Sequence, residues 1–127
     1  MDRQILIIDD EKAIRLLLKQ LFERQGYKVL LADGSNKGIR IFKENPVDLV
    51  IVDLIMPEKD GIETIQELRS IDPDIKIIAI SGGGIIKPDL YLKLARKFGA
   101  IYSFKKPIEN NKILTFVETL FRQSPTE

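Results

Sequence analysis

The chain has 127 residues, 44% of them hydrophobic, and a net charge of +1. That suits one domain with a sizeable core, and it supplies no global field for nucleic acid or an anionic membrane. Cysteine and histidine are both absent, which excludes disulfides, thiolate and imidazole metal sites, thiol nucleophiles and Ser-His-Asp triads.

A cysteine-free chain fits a reducing cytoplasm. No apolar run approaches the ~20 residues that span a bilayer, and no signal-peptide pattern precedes the first strand-like run. The remaining polar chemistry belongs to carboxylates, hydroxyls, Lys and Arg, and carboxylates alone suit a hard cation such as Mg²⁺.

The first apolar run, residues 4–8, leads directly into three acids, Asp9, Asp10 and Glu11. A helix follows, with Ile14, Leu17, Leu18, Leu21 and Phe22 at i, i+3, i+4, i+7 and i+8 predicted to face inward, and Gly26 as its stop. Residues 28–31 form the second strand, and the second helix is predicted over residues 35–44 with Ile39 and Phe42 inward. The third strand, 48–52, runs into Asp53. Asp60 and Glu63 then resemble a capping box opening the third helix. The fourth strand is predicted over 75–80, followed by Ser81 and three glycines. The fourth helix starts near Pro88, a favoured first-turn residue, with Leu90, Leu94 and Phe98 on one side. The fifth strand is predicted over 101–104, ahead of Lys105 and Lys106. The last helix covers roughly 110–122, with Ile113, Val117 and Leu120 inward. Residues 1–122 are read as one domain and 123–127 as a flexible tail.

Five strands each followed by a helix imply an α/β fold, a parallel sheet covered on both faces. The nearly continuous apolar strands "LVIVD" and "IKIIAI" agree, because a parallel strand is buried on both sides. In such a doubly wound sheet, ligands sit at the carboxyl ends of strands, at the switch point. In the flavodoxin-like order 2-1-3-4-5, Asp9, Asp10 and Asp53 share one crevice. Ser81 and the Lys105–Lys106 pair arrive from the next two strand ends. Taken singly, each feature is an ordinary helix-start acid, turn acid, loop serine or surface lysine. Together they place compatible groups at one predicted ligand edge.

The segments "IIDDEKAIR", "LVIVDLIMPEKDGIE", "IIAISG" and "GAIYSFKKPI", in that order, resemble the receiver domain of two-component response regulators. The likeness covers essentially the whole chain. It implies that Asp53 is the phosphoacceptor, a carboxylate nucleophile that forms an aspartyl-phosphate. It implies Mg²⁺ held directly by Asp10 and Asp53, through water by Asp9, and by the backbone carbonyl of Ile55. Ser81 would hydrogen-bond the phosphoryl group and Lys106 would pair with it. Lys105 is the weaker choice, because neighbouring strand side chains point to opposite faces. Glu11 is left as a helix-start acid. The chain has no histidine to act as phosphodonor, so the donor is a sensor histidine kinase, a histidine phosphotransfer protein or a small phosphorylated molecule.

Two departures from the family pattern stand out. Many receivers carry Tyr or Phe three residues before the lysine, where this chain has Ser103. Its neighbours Tyr102 and Phe104 should face away from Ser103's side. Switching is therefore expected to rest on Ser81 and the glycines at 82–84. The positions that tune hydrolysis, Ile55 and Gly83, offer no polar side chain to orient water. Output is expected through the fourth and fifth strand–helix units, where Tyr91, Lys93, Arg96, Lys97 and Tyr102 suit an acidic protein partner. No nucleic-acid-binding helix is visible outside the βα units. The expected function is a phosphorylation-dependent switch rather than an enzyme. The alternatives are an aspartate-nucleophile phosphatase or phosphotransferase, and a degenerate receiver that only binds partners. A nucleotide or flavin binder is disfavoured by the missing glycine-rich motifs and by three acids that would repel phosphate.

Overall fold

The computed structural model describes residues 3–56, 59–81 and 88–123. Five strands and five helices alternate: β1 Gln4–Ile8, α1 Lys12–Glu23, β2 Lys28–Ala32, α2 Ser35–Glu44, β3 Leu49–Asp53, α3 Gly61–Ile71, β4 Lys76–Ser81, α4 Pro88–Lys97, β5 Tyr102–Lys105 and α5 Asn110–Arg122. The strands form one parallel sheet in the order β2-β1-β3-β4-β5, as the alternating pattern predicts. The last three strands begin and end one residue later than the apolar runs suggest. The ladder continues through Asp53, Ser81 and Lys105, so the polar site residues belong to the strands rather than to the loops after them.

Strand alternation divides the core in two. Leu6, Ile8, Val50, Val52, Ile77 and Ala79 point to one face, where Ile39, Phe42, Ile65, Leu68, Leu92 and Ala95 of α2, α3 and α4 cover them. Ile5, Ile7, Leu49, Ile51, Ile78 and Ile80 point to the other, against Leu18 and Phe22 of α1 and Ile113, Val117 and Phe121 of α5. Burial on both faces is why these strands read as unbroken apolar runs.

Local signals mark the start of α3 and the turn after α1. Asp60 caps α3, its Oδ1 accepting from the Glu63 backbone N–H at 3.0 Å. Gly26 sits at φ 91° in the turn after α1, a conformation that suits glycine. Gly61 meets a different demand, that of space. A Cβ there would lie 2.5 Å from Leu54 Cα and 2.6 Å from the Asp53 carbonyl oxygen. The start of α3 therefore rests directly on the backbone at the end of β3.

The helix faces need three corrections. In α1, Leu17 is exposed and burial centres on Leu18 and Phe22. In α5, Phe121 is buried in place of Leu120, which packs only at the core's edge. The largest correction concerns α4. Leu90, Leu94 and Phe98 share a side as predicted, but that side is exposed, Leu90 by 55%. The inward residues are Leu92 and Ala95. This helix carries apolar residues on two faces, and periodicity alone cannot tell which meets the sheet. Of the predicted tail, residues 124–127 lie outside the described residues, as does the glycine stretch at 82–84.

Candidate functional site

The carboxyl edge of the sheet is built by hydrogen bonds that run one residue past the strands. Asp9 N–H donates to the Ala32 carbonyl at 3.1 Å, Leu54 N–H to Ile80 at 3.0 Å and Lys106 N–H to Ser81 at 2.8 Å. With Ile8 in register with Val52, Asp9 comes to lie beside Asp53. Nearby contacts orient both acids. Asp9 Oδ1 accepts from the Glu11 N–H at 2.8 Å, and the Arg15 guanidinium donates to the Asp9 carbonyl at 2.8 Å. Asp53 Oδ1 accepts from the Ile55 N–H at 3.3 Å.

Asp9, Asp10 and Asp53 each place a carboxylate oxygen within 4.8 Å of the others. Asp9 is fully buried, Asp53 is 4% exposed, and Asp10 faces solvent. Burial, then the neighbouring charge of Asp9, pushes the Asp53 carboxyl up to about 7. Burial likewise raises Asp9, against the pull of the Glu11 N–H and of Lys106. Neither acid is therefore comfortable as an anion without added positive charge.

Part of that charge comes from Lys106. Its ammonium lies 3.1 Å from Asp9 Oδ2 and 3.5 Å from Asp53 Oδ2, and it is hydrogen-bonded to Glu11 Oε1. Burial alone would lower its pKa; the carboxylates of Glu11, Asp53 and Asp9 outweigh that and raise it. The contact with Asp9 Oδ2 is an ion pair. Among the described residues, Asp9 Oδ2 and the hydroxyl of Ser81, both buried, have no hydrogen-bond partner. A crevice of carboxylate oxygens, one of them buried with only an ion pair to Lys106, fits a hard divalent cation. The orphaned Ser81 hydroxyl fits an acceptor oxygen yet to arrive.

The predicted site residues thus converge, and Lys106 rather than Lys105 turns inward. One participant escaped the sequence reading. Glu11, taken as a helix-start acid, is the N-cap residue of α1 but makes no side-chain cap; its carboxylate reaches Lys106, 95 residues away. Only the fold, which brings the ends of β1 and β5 to the same edge of the sheet, reveals it. Ser103 lies in register with Ala79 on the α4 side. Tyr102 and Phe104 turn towards α5, where Tyr102 stacks on Phe116 with ring centroids 4.6 Å apart. Both aromatics thus face away from Ser103's side, as strand alternation predicts.

A five-stranded parallel sheet in this order, with an acidic crevice and a lysine at its carboxyl edge, defines a receiver-type domain. A family profile described as "Response regulator receiver domain" matches residues 5–118, and the chain belongs to that family. It is 31% identical over 113 residues to sporulation initiation phosphotransferase F of Bacillus subtilis, covering 89% of each chain. It is 33% identical over 115 residues to the chemotaxis protein CheY of Thermotoga maritima, covering 90% of this chain and 93% of that one. Other relatives are longer: the chain spans 50% of the transcriptional regulatory protein CpxR of Klebsiella pneumoniae, at 30% identity. Among solved structures, a response regulator receiver domain protein of Clostridium thermocellum superposes with a TM-score of 0.79 at 38% identity over 87% of each chain. A two-component response regulator of Clostridium difficile shares the fold at a TM-score of 0.90 and 23% identity, covering 98% of this chain and all of that one.

Proposed function

We propose that this chain is a signalling switch that accepts a phosphoryl group on Asp53 from a histidine kinase or a histidine phosphotransfer protein. The observation that carries the reading is one convergence. Asp53 is buried at a strand end with Asp9 and Asp10 beside it, Lys106 faces its carboxylate, and the buried Ser81 hydroxyl, without a partner among the described residues, ends the next strand. Phosphoryl transfer needs positioning and charge neutralisation more than covalent assistance, and these residues supply both.

Each residue then has a task. The Asp53 carboxylate is the nucleophile, and Lys106 neutralises the oxygens that accumulate charge. Ser81 donates its hydroxyl to a phosphoryl oxygen. Asp10 and Asp53 would hold Mg²⁺ with the Ile55 carbonyl, and Asp9 would act through bound water. The ion would supply the positive charge that makes the crowded carboxylates and the incoming phosphoryl group compatible. Ile55, exposed and apolar two residues past Asp53, offers no acid for a leaving group. That weighs against a phosphatase and for a phosphoacceptor that is not an enzyme in its own right.

Output would pass through the β4–α4 and β5–α5 units to a protein target rather than to nucleic acid. Lys93, Arg96 and Lys97 line a surface cleft with Ala100 and Ile101, next to the exposed apolar side of α4, which suits an acidic partner with apolar anchors. The Tyr91 side chain lies outside what is described. The cysteine-free composition suits a cytoplasmic setting.

Incubation with Mg²⁺ and acetyl phosphate, followed by intact mass, tests the proposal. A single phosphoryl adduct on the wild type, absent from Asp53→Ala, is expected. No adduct on the wild type, or an equal adduct on Asp53→Ala, would refute it.

A further inference from the structure

Lys106 is shared among three carboxylates, and only one of the three is open to solvent. The Lys106 and Asp53 side chains are 11% and 5% exposed and that of Asp9 is fully buried, whereas that of Glu11 is 54% exposed. The ammonium is hydrogen-bonded to Glu11 yet stands 3.5 Å from Asp53 Oδ2. The Glu11 backbone is held on both sides: its N–H donates to Asp9 Oδ1 at 2.8 Å, and its carbonyl accepts from the Arg15 N–H at 3.1 Å in the first turn of α1. Only its side chain can let go, and water can solvate it when it does. Of the three contacts to Lys106, the one with Glu11 is the cheapest to break.

We propose that Glu11 is a latch on Lys106, sharing its ammonium with Asp9 and Asp53 until a phosphoryl group on Asp53 draws it away from Glu11. The inference rests on Asp53 being the phosphoacceptor. With acetyl phosphate as donor, an Asp53 oxygen bonds to phosphorus as the bond from phosphorus to the acetyl oxygen breaks. Acetate leaves with that electron pair. The phosphoryl group carries more negative charge and more acceptor oxygens than the carboxylate it caps, so Lys106 gains a better partner than Glu11. Glu11 touches no reacting atom; it is a positioning residue that acts through Lys106.

Two variants separate a latch from a plain field effect. Glu11→Gln removes the charge, whereas Glu11→Asp keeps it and shortens the reach by one methylene. Phosphorylation of the full chain at saturating Mg²⁺ is followed by intact mass. The ¹⁵N resonance of the Lys106 ammonium is followed separately in metal-free protein. Both variants should phosphorylate about threefold faster, the scale expected for release of a partly exposed ion pair. Both should also shift the ammonium signal and speed its exchange with water. A Glu11→Asp variant that matches wild type in both readouts, or an ammonium signal unchanged in both variants, overturns the latch. If no variant gains a phosphoryl group, the phosphoacceptor reading fails, and the ammonium signal still decides the latch.

Discussion

Asp53 is a buried carboxyl under strong electrostatic tension. Its carboxyl is pushed up to about 7 by burial and by Asp9, so the folded state favours the protonated acid relative to an unfolded chain. The folded state therefore binds more protons than the unfolded one between the two pKa values, and this group's contribution falls as pH rises from about 4 through about 7. Above that window the loss is complete, up to about 4 kcal/mol at ~1.4 kcal/mol per pKa unit. In metal-free buffer, Asp53→Asn should remove that slope and melt higher than wild type at pH 8. Thermal melts across pH 4–8 check this, and an Asp53→Asn curve parallel to wild type would contradict it. Because a metal needs the carboxylates ionised, Mg²⁺ affinity should rise with pH through the same window, measurable by calorimetry. Lys106, Asp10 and Asp53 were legible from residue type and strand-end position. Glu11's partner was not, because nothing in a local stretch says which strand ends meet.

At the scale of elements, the seam between α2 and α3 holds a buried polar contact. Ser35 and Thr64 are both buried, and their hydroxyls lie 2.7 Å apart. The Thr64 hydroxyl donates to the Asp60 carbonyl at 3.1 Å, which leaves Ser35 as donor to Thr64. Thr64→Val would strand the Ser35 hydroxyl and should cost about 1–3 kcal/mol. Adding Ser35→Ala should recover part of that loss, and a double-mutant cycle in denaturant measures the coupling. Gly61 tests the adjoining joint. Any side chain there must displace the backbone of Leu54 and Asp53, so Gly61→Ala should lower stability by about 1–3 kcal/mol and slow phosphorylation by shifting Asp53, the proposed acceptor. Unchanged stability and an unchanged rate would contradict this. Helix existence and order were readable from apolar spacing, and the α3 start from its capping box. The facing of α4 was not, since its two apolar stripes are equivalent until the sheet chooses one.

For the molecule as a whole, that choice leaves Leu90, Leu94, Phe98, Ile101 and Tyr102 exposed beside Lys93, Arg96 and Lys97. Exposed apolar residues gathered on one side of a small domain suit protein contact. Phe98→Ser should cost about 1 kcal/mol, since part of its ring is buried, whereas Leu92→Ala should cost about 2–4 kcal/mol by opening a core cavity. Equal losses in chemical denaturation would mean that α4 faces the other way. Mg²⁺ should raise the melting midpoint of wild type by binding the folded state, and Asp10→Ala should lose that gain.

Sequence by itself determined the class of fold, the order of its elements and which residue types could act. Period-2 and period-3.6 patterns are local, and the lack of Cys and His limits the chemistry before any folding occurs. Tertiary structure decided what depends on distance: the burial that raises Asp53, the sharing of Lys106 among Glu11, Asp9 and Asp53, and the side of α4 that meets solvent. Those properties arise where strand ends far apart in sequence are brought together by the parallel sheet, and each is set by the neighbours it acquires there.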